Sequence, residues 1–386
     1  MEFRIKKDTI LDALTKVQGI TGKKTNILIT SSVLLSARES VISIRATDLE
    51  MAFKASYEAD IVQEGSTAVP SRKLYEIVRA FPSDMLAIKE IENKWIQLAD
   101  KKLEYNIVGM DPDDFPGFPD IAGIELFEID VSILRNMINK TIYSVLGDEG
   151  RAELAGICFE SITEGDVNKI RMVSTDGHRL SKIDHVVVEE DKSRVAGLKE
   201  SVILPKNGII EVLKILESGK SVQIGFKENN FVVKKGARNA SEHEAGGNEE
   251  VLIVRLIEGE FPDYEMVIPK TCENEMNVQK EDFLMMLRRM SILSSDKYSG
   301  ARFKIDKEQI EITTTNPEIG EAKEIISVSY RGEPLELAFN PRYFMETLTS
   351  MDSEEVVVRF KDEVNPCIIE GKADPGFLGV IMPMRV

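Results

Sequence analysis

Helical stripes and strand-like alternation succeed one another three times along this chain. Ile10, Leu11, Leu14 and Val17 fall at helical spacing behind Asp8, a candidate N-cap. Leu134, Ile138 and Ile142 repeat the stripe behind Asp130, and Phe283, Leu284 and Leu287 repeat it behind Lys280. Strands follow: Val41, Ser43 and Arg45 alternate with Ile42, Ile44 and Ala46, and Gln309, Glu311 and Thr313 alternate with Ile310 and Ile312. That period suits half-buried antiparallel strands. A second helix then begins at Pro70, Pro205 or Pro341, because proline fits a first helical turn whose N–H would be unpaired anyway. Its stripe is Leu74, Ile77, Val78 and Phe81 in the first copy. Ile209, Ile210, Leu213 and Leu216 supply it in the second, and Phe344, Leu348 and Met351 in the third. Apolar runs such as Trp95–Leu98, Val222–Phe226 and Val356–Phe360 predict further strands.

The three prolines stand 135 and 136 residues apart. A polar turn recurs independently at Thr47-Asp48, Thr175-Asp176 and Thr315-Asn316, with spacings of 128 and 140. Two landmarks in step predict three copies of one α+β domain, each with two helices packed on an antiparallel sheet. The expected domains are 1–122, 123–264 and 265–386. Acidic, proline-rich Asp111–Asp120 closes the first, and Phe261-Pro262-Asp263-Tyr264 closes the second. Arg238–Glu250, with Gly246-Gly247, reads as a solvated hairpin loop. Asp176-Gly177 reads as a two-residue hairpin turn, since glycine takes positive φ cheaply.

At 386 residues, three copies leave each long enough to bury its own core. A hydrophobic fraction of 42% and a charged fraction of 30% fit an ordinary globular protein, and no apolar run approaches a membrane span. The alternating Met1–Lys7 reads as a strand and not as a signal peptide. Cys158, Cys272 and Cys367 share no ligand spacing and fit a reducing cytoplasm. The net charge of −17 disfavours indiscriminate nucleic-acid binding but leaves room for basic residues gathered on one face.

Motifs of catalysis are missing. Gly19-Ile20-Thr21-Gly22-Lys23-Lys24-Thr25 has two residues between its glycines where a P-loop has four, and no hydroxyl residue follows Lys23. His178, His185 and His243 have no partner at metal-ligand spacing, and no nucleophile signature occurs. The chain reads as non-enzymatic, with no cofactor. A fold repeated around an arc makes a holding surface.

Ser174–Leu180, Phe261–Tyr264 and the terminal Val380-Ile381-Met382-Pro383-Met384-Arg385-Val386, in that order, closely resemble the bacterial DNA polymerase III beta subunit, the replicative sliding clamp. The resemblance covers the whole chain. It implies a homodimeric ring of six domains, with sheets outside and helices lining a hole around duplex DNA. The implied function is processivity: the ring tethers the polymerase catalytic subunit, and a clamp loader opens and closes it. A sliding protein needs few phosphate contacts, because each one adds grip and salt dependence.

The resemblance also implies three sets of residues. A pocket for partner peptides would take Leu154, Thr175, Gly177, His178, Arg179 and Leu180 from the second domain, and Pro262 and Val267 near the junction. Asn340, Tyr343, Val380, Met382, Pro383, Met384 and Arg385 would complete it from the third. Methionines suit an adaptable surface that takes several partners, and Pro383 points to a strand edge. The DNA-facing candidates are Lys24, Arg72, Lys73, Arg79, Arg135, Lys140, Lys206 and Arg342, with Lys6, Lys16, Lys23, Lys214 and Arg288 beside them. Tyr105 and Ile107 would meet Ile292 and Leu293 of a second copy at the dimer interface. Met266 and the loop at 238–250 depart from the family pattern. An adaptor scaffold with no DNA role is the competing reading, motivated by the acidic charge.

Overall fold

Helices and strands alternate in the order the patterns predict. In a computed structural model of the chain, residues 1–22, 27–100, 102–147, 150–187, 201–236, 249–294 and 299–384 are described. Among them are six α-helices: α1 (Lys7–Thr21), α2 (Ser71–Ala80), α3 (Val131–Asn139), α4 (Lys206–Ile215), α5 (Lys280–Met290) and α6 (Pro341–Ser350). Two fall in each expected copy.

By their contacts the residues gather into two units. One comprises Met1–Ser132 with Asn207–Leu256, the other Ile133–Lys206 with Ile257–Val386. The middle copy contributes to both because its strands complete sheets begun by its neighbours. In the first unit, Glu249–Arg255 pairs antiparallel with Met51–Glu58, joining four strands of each origin into an eight-stranded sheet. A five-stranded sheet accompanies it, with Leu103–Val108 at one edge. In the second unit, Arg179–Val186 pairs with Phe377–Ile381 inside a nine-stranded sheet. A four-stranded sheet there ends in Gly320–Ser327. Pairing strands across copies satisfies edge N–H and C=O groups that would otherwise invite aggregation.

The helical stripes are buried as expected at Ile10, Leu14, Val17, Leu74, Val78, Leu134, Ile138, Phe283, Leu287, Phe344 and Leu348. In α4 the stripe is Ile209, Val212 and Ile215, while Ile210 is exposed. Helix α1 starts at Lys7, so Asp8 sits in its first turn, favourable to the helix dipole, and does not cap it. Asp130 does cap α3, its carboxylate accepting from the Ser132 amide at 2.7 Å. Pro70 and Pro205 end the strands before α2 and α4, and only Pro341 lies inside a helix, capped by Asn340. Residues 238–248 of the expected loop lie outside the described residues. Glu249 and Glu250 belong to a strand instead, and Glu250 is buried.

Candidate functional site

In the second unit a cleft forms where two strands from different copies lie side by side. Leu180 pairs with Val380, and Arg179 with Ile381. Cys158, Val173, Leu180 and Val380 form a buried apolar floor, against which Phe261, Tyr264, Ile268 and Leu378 pack. The resulting cavity measures about 130 Å³. It gathers Leu154, Thr175, Gly177, Arg179, Leu180, Pro262, Val267, Val380 and Met382 from the expected set, together with Arg151, Asp263 and Tyr264.

The rim is built by local hydrogen bonds. Thr175 pairs with Leu180, so the turn between them is longer than the two-residue hairpin expected. Gly177 adopts φ +86°, which glycine tolerates. The Asp176 carboxylate accepts from the amides of His178 and Arg179 at 2.9 and 3.0 Å, capping the turn. The Arg179 guanidinium lies between the rings of Tyr143 and Tyr343, at 5.3 and 4.8 Å, and pairs with Asp176 and Glu346. His178 stacks on Tyr343 with the rings 13° from parallel. Stacked and paired, Arg179 is a rigid wall of the cleft.

The tail runs past the end of its strand. Phe377–Ile381 lies between two strands, and Met382 and Met384 then donate their amides to the carbonyls of His178 and Ala338 at 2.9 and 2.7 Å. Pro383, with no amide to donate, falls between them, so it marks the end of a central strand and not a sheet edge. His178, Asn340, Tyr343, Pro383 and Met384, expected in the pocket, do not line this cavity. Arg385 lies outside the described residues.

A second layer, which the sequence reading missed, fixes the wall at Phe261–Val267. Arg171 is buried, and its guanidinium holds the Asp184 carboxylate at 2.6 and 2.9 Å. It also donates to the Tyr264 hydroxyl and to Glu265, both at 3.0 Å. Tyr264 in turn donates to Glu160. Burial and the Glu160 contact push the Tyr264 hydroxyl well above the usual phenol range, so it stays protonated and able to donate. An arginine amid Ile170, Met172 and Val173 was the available signal, because a charge there must find buried partners.

The cations differ in exposure. Arg72, Lys73, Arg79 and Arg342 are exposed on α2 and α6, and Arg288 on α5. Glu76 pairs with Arg72 and Lys73, and Glu346 with Arg342. Arg135 and Lys206 are half-buried. Lys24 and Lys23 lie outside the described residues. Lys140 is a correction: its side chain is only 2% exposed and is bound to Asp374 at 2.5 Å, so it presents no charge to a ligand. Lys16 is likewise held by Asp12 and Glu250, at 2.6 and 2.5 Å. Long basic side chains usually keep their charge in water, and here each is instead drawn to a buried or partly buried acid.

Tyr105 and Ile107 are half-buried on the edge strand Leu103–Val108. Ile292 is 75% exposed on the turn after α5, and Leu293 half-buried beside it. Among the described residues no cluster of three or more His, Cys, Asp or Glu side chains could hold a metal ion. None of their helices is long and apolar enough to cross a membrane.

Repeated helix-on-sheet domains with an apolar cleft and cation-bearing helices define a protein that holds partners on its surface. Comparison gives that class its family. Residues 1–119, 128–263 and 265–385 match, in turn, the N-terminal, central and C-terminal domains of the DNA polymerase III beta subunit. Beta sliding clamps of Salmonella typhimurium and Escherichia coli K12 are 30% and 29% identical over the full length of both chains. The solved sliding clamp of Caulobacter crescentus superposes with a TM-score of 0.88 at 28% identity, covering 100% of each chain. That of Bacillus subtilis superposes at 0.88 and 25% identity, covering 100% of this chain and 99% of the other. The chain belongs to the DNA polymerase III beta subunit family, the sliding clamps, which confer processivity and are not themselves catalytic.

Proposed function

We propose that two copies of this chain close head to tail into a six-domain ring around duplex DNA in the cytoplasm, with domains 1–122, 123–264 and 265–386. The cleft at Leu180 and Val380 then takes a short apolar peptide from the replicative polymerase, from the clamp loader and from other proteins bearing such a motif. The cleft carries this reading: a buried apolar floor beside the fixed rim of Arg179 and the adaptable Met382 is suited to one anchoring peptide after another. Exposed Arg72, Lys73, Arg79 and Arg342, with the half-buried Arg135 and Lys206, supply the DNA-facing charge. Arg72, Lys73 and Arg342 are paired with acids, and Arg135 and Lys206 are only partly exposed, which suits weak, sliding contact with phosphates.

The test is retention on DNA after loading. The ring reading expects the protein to stay on closed circles and to run off linear molecules from their ends. Equal loss from both overturns it. Peptide binding with no gain in polymerase processivity favours the adaptor reading instead.

A further inference from the structure

The cleft wall that Arg171 fixes is acidic, and its carboxylates outnumber the cations that meet them. Between Arg255 and Lys270 the chain carries Glu258, Glu260, Asp263 and Glu265 and no basic residue. Glu265 shares Arg171 with Glu160, Glu164 and Asp184, at 3.0, 4.0, 3.3 and 2.6 Å. Lys169 adds one cation at Glu164, so four carboxylates there meet two cations. Glu260 and Asp263 are exposed, and neither makes an ion pair among the described residues.

The repeat supplies an internal comparison. Phe118-Pro119-Asp120-Ile121 ends the first copy as Phe261-Pro262-Asp263-Tyr264 ends the second. Lys227 meets the first copy's Asp120 at 3.3 Å. Asp263 lines the cavity instead. The other charges lining it are Arg151 and Arg179, and Arg179 is already held by Asp176 and Glu346. One guanidinium, that of Arg151, thus stands against Glu260, Asp263 and the excess acid around Arg171.

Apolar surface lies directly beside these acids. Met266 is 81% exposed between Glu265 and Val267, and Val267 lines the cavity. A methionine and a carboxylate side by side suit a ligand that is apolar along its stem and cationic at its tip. Lysine and arginine have that form, because their methylenes cover apolar surface while the charge stays in water or reaches an acid. The flexible thioether of methionine adapts to either stem.

We propose that the peptide taken by this cleft carries a lysine or arginine beside its apolar anchor, with the basic stem laid on Met266 and its charge beside Asp263 and Glu265. The inference rests on the docking reading of the cleft given above. The acids then choose among peptides that share an anchor, attracting a basic flank and repelling an acidic one. The rim is open to water, so the preference is a matter of a few-fold and is screened by salt.

Three synthetic peptides test this on the full chain by fluorescence anisotropy. They share one apolar anchor and carry beside it two lysines, two glutamines or two glutamates. In low salt the lysine peptide is expected to bind about fivefold tighter than the glutamine peptide, and the glutamate peptide about fivefold weaker, with both gaps closing at about 1 M salt. Replacing the anchor of the lysine peptide with serines should weaken it at least tenfold; unchanged binding would make the attraction one of charge alone and overturns the proposal. In Glu260→Gln with Asp263→Asn the lysine-to-glutamine ratio should fall to about two, and in Met266→Arg the glutamate peptide should bind tighter than the lysine peptide. Each ratio is taken on one protein, so a loss of folded material cancels. Equal affinities for the three peptides, or a lysine preference that both variants leave unchanged, overturns the proposal while the docking reading stands. No binding of any of the three overturns the docking reading itself.

Discussion

Lys140 and Asp374 meet at 2.5 Å with side chains 2% and 0% exposed, one at the end of α3 and the other before the strand Phe377–Ile381. Asp374 also accepts from the amides of Asp352 and Ser353, at 2.8 and 2.9 Å, and from the Ser353 hydroxyl. Lys140 further bonds Asp352 and stands 5.8 Å from the Phe377 ring centre.

This pair ties the second and third copies together, and breaking it should be costly. Lys140→Met is expected to destabilise the chain by about 3 kcal/mol, because it leaves a buried carboxylate without its cation. Urea denaturation followed by circular dichroism checks this. Burial alone would raise the Asp374 carboxyl, but the donors from Asp352, Lys140 and Ser353 outweigh it and hold it below the usual carboxylate range. Its folded value is thus lower than its unfolded one, so its contribution is complete above the ordinary aspartate range and fades as pH falls through the lowered value. The parent should lose stability on acidification more steeply than Lys140→Met. Parallel acid-unfolding curves would show that Asp374 contributes nothing.

Lys140 also shows where reading the chain stops. The repeat, the two helices per copy and most apolar stripes were legible because burial imposes periodicity on Leu74 and Val78 or on Phe344 and Leu348. Strand sharing between copies was not, because pairing across more than a hundred residues leaves no local trace. That sharing is what buried Glu250 and Lys140, both of which look like surface charges in sequence. The cleft's own residues were legible through the resemblance, while Tyr143, Glu346 and Arg171, which hold them, carry no motif.

Arg171 gives the most direct test of that supporting layer. Arg171→Met should free Tyr264 and loosen the wall at Phe261–Val267, weakening an anchoring peptide at least tenfold in fluorescence anisotropy, a loss of about 1.4 kcal/mol. Tyr264→Phe keeps the apolar ring and loses only the ties to Arg171 and Glu160, so it should fall between the parent and Arg171→Met. Unchanged affinity in both variants would make Arg171 a stability residue alone.

The thiols should divide by burial. Burial pushes Cys158 up to about 12, helped by nearby Glu160, and it raises Cys367 further. Cys272 is only partly buried and is raised less. Thiolate is the reactive form, so a neutral aromatic disulfide at pH 8 should label one thiol quickly and the other two only on unfolding. The labelled residue, identified by mass spectrometry, should be Cys272. Prompt labelling of Cys158 would mean that the cleft floor opens in solution.

Removing Met382–Val386 should separate docking from assembly. The amides of Met382 and Met384 pin the tail to the His178 and Ala338 carbonyls, so truncation takes away one side of the cleft together with two hydrogen bonds. The strand Phe377–Ile381 and its pairing to Arg179–Val186 remain, and so does the apolar floor at Leu180 and Val380. Peptide affinity is expected to fall about a hundredfold, roughly 2.7 kcal/mol, in line with the loss of a buried apolar side chain and its neighbouring contacts. Sedimentation should match that of the parent, because Leu103–Val108 and Gly320–Ser327 lie at other sheet edges and do not involve the tail. A truncated chain that still binds peptide at parental strength would move the docking site away from this cleft. One that binds weakly and also dissociates would mean that the tail supports the junction as well.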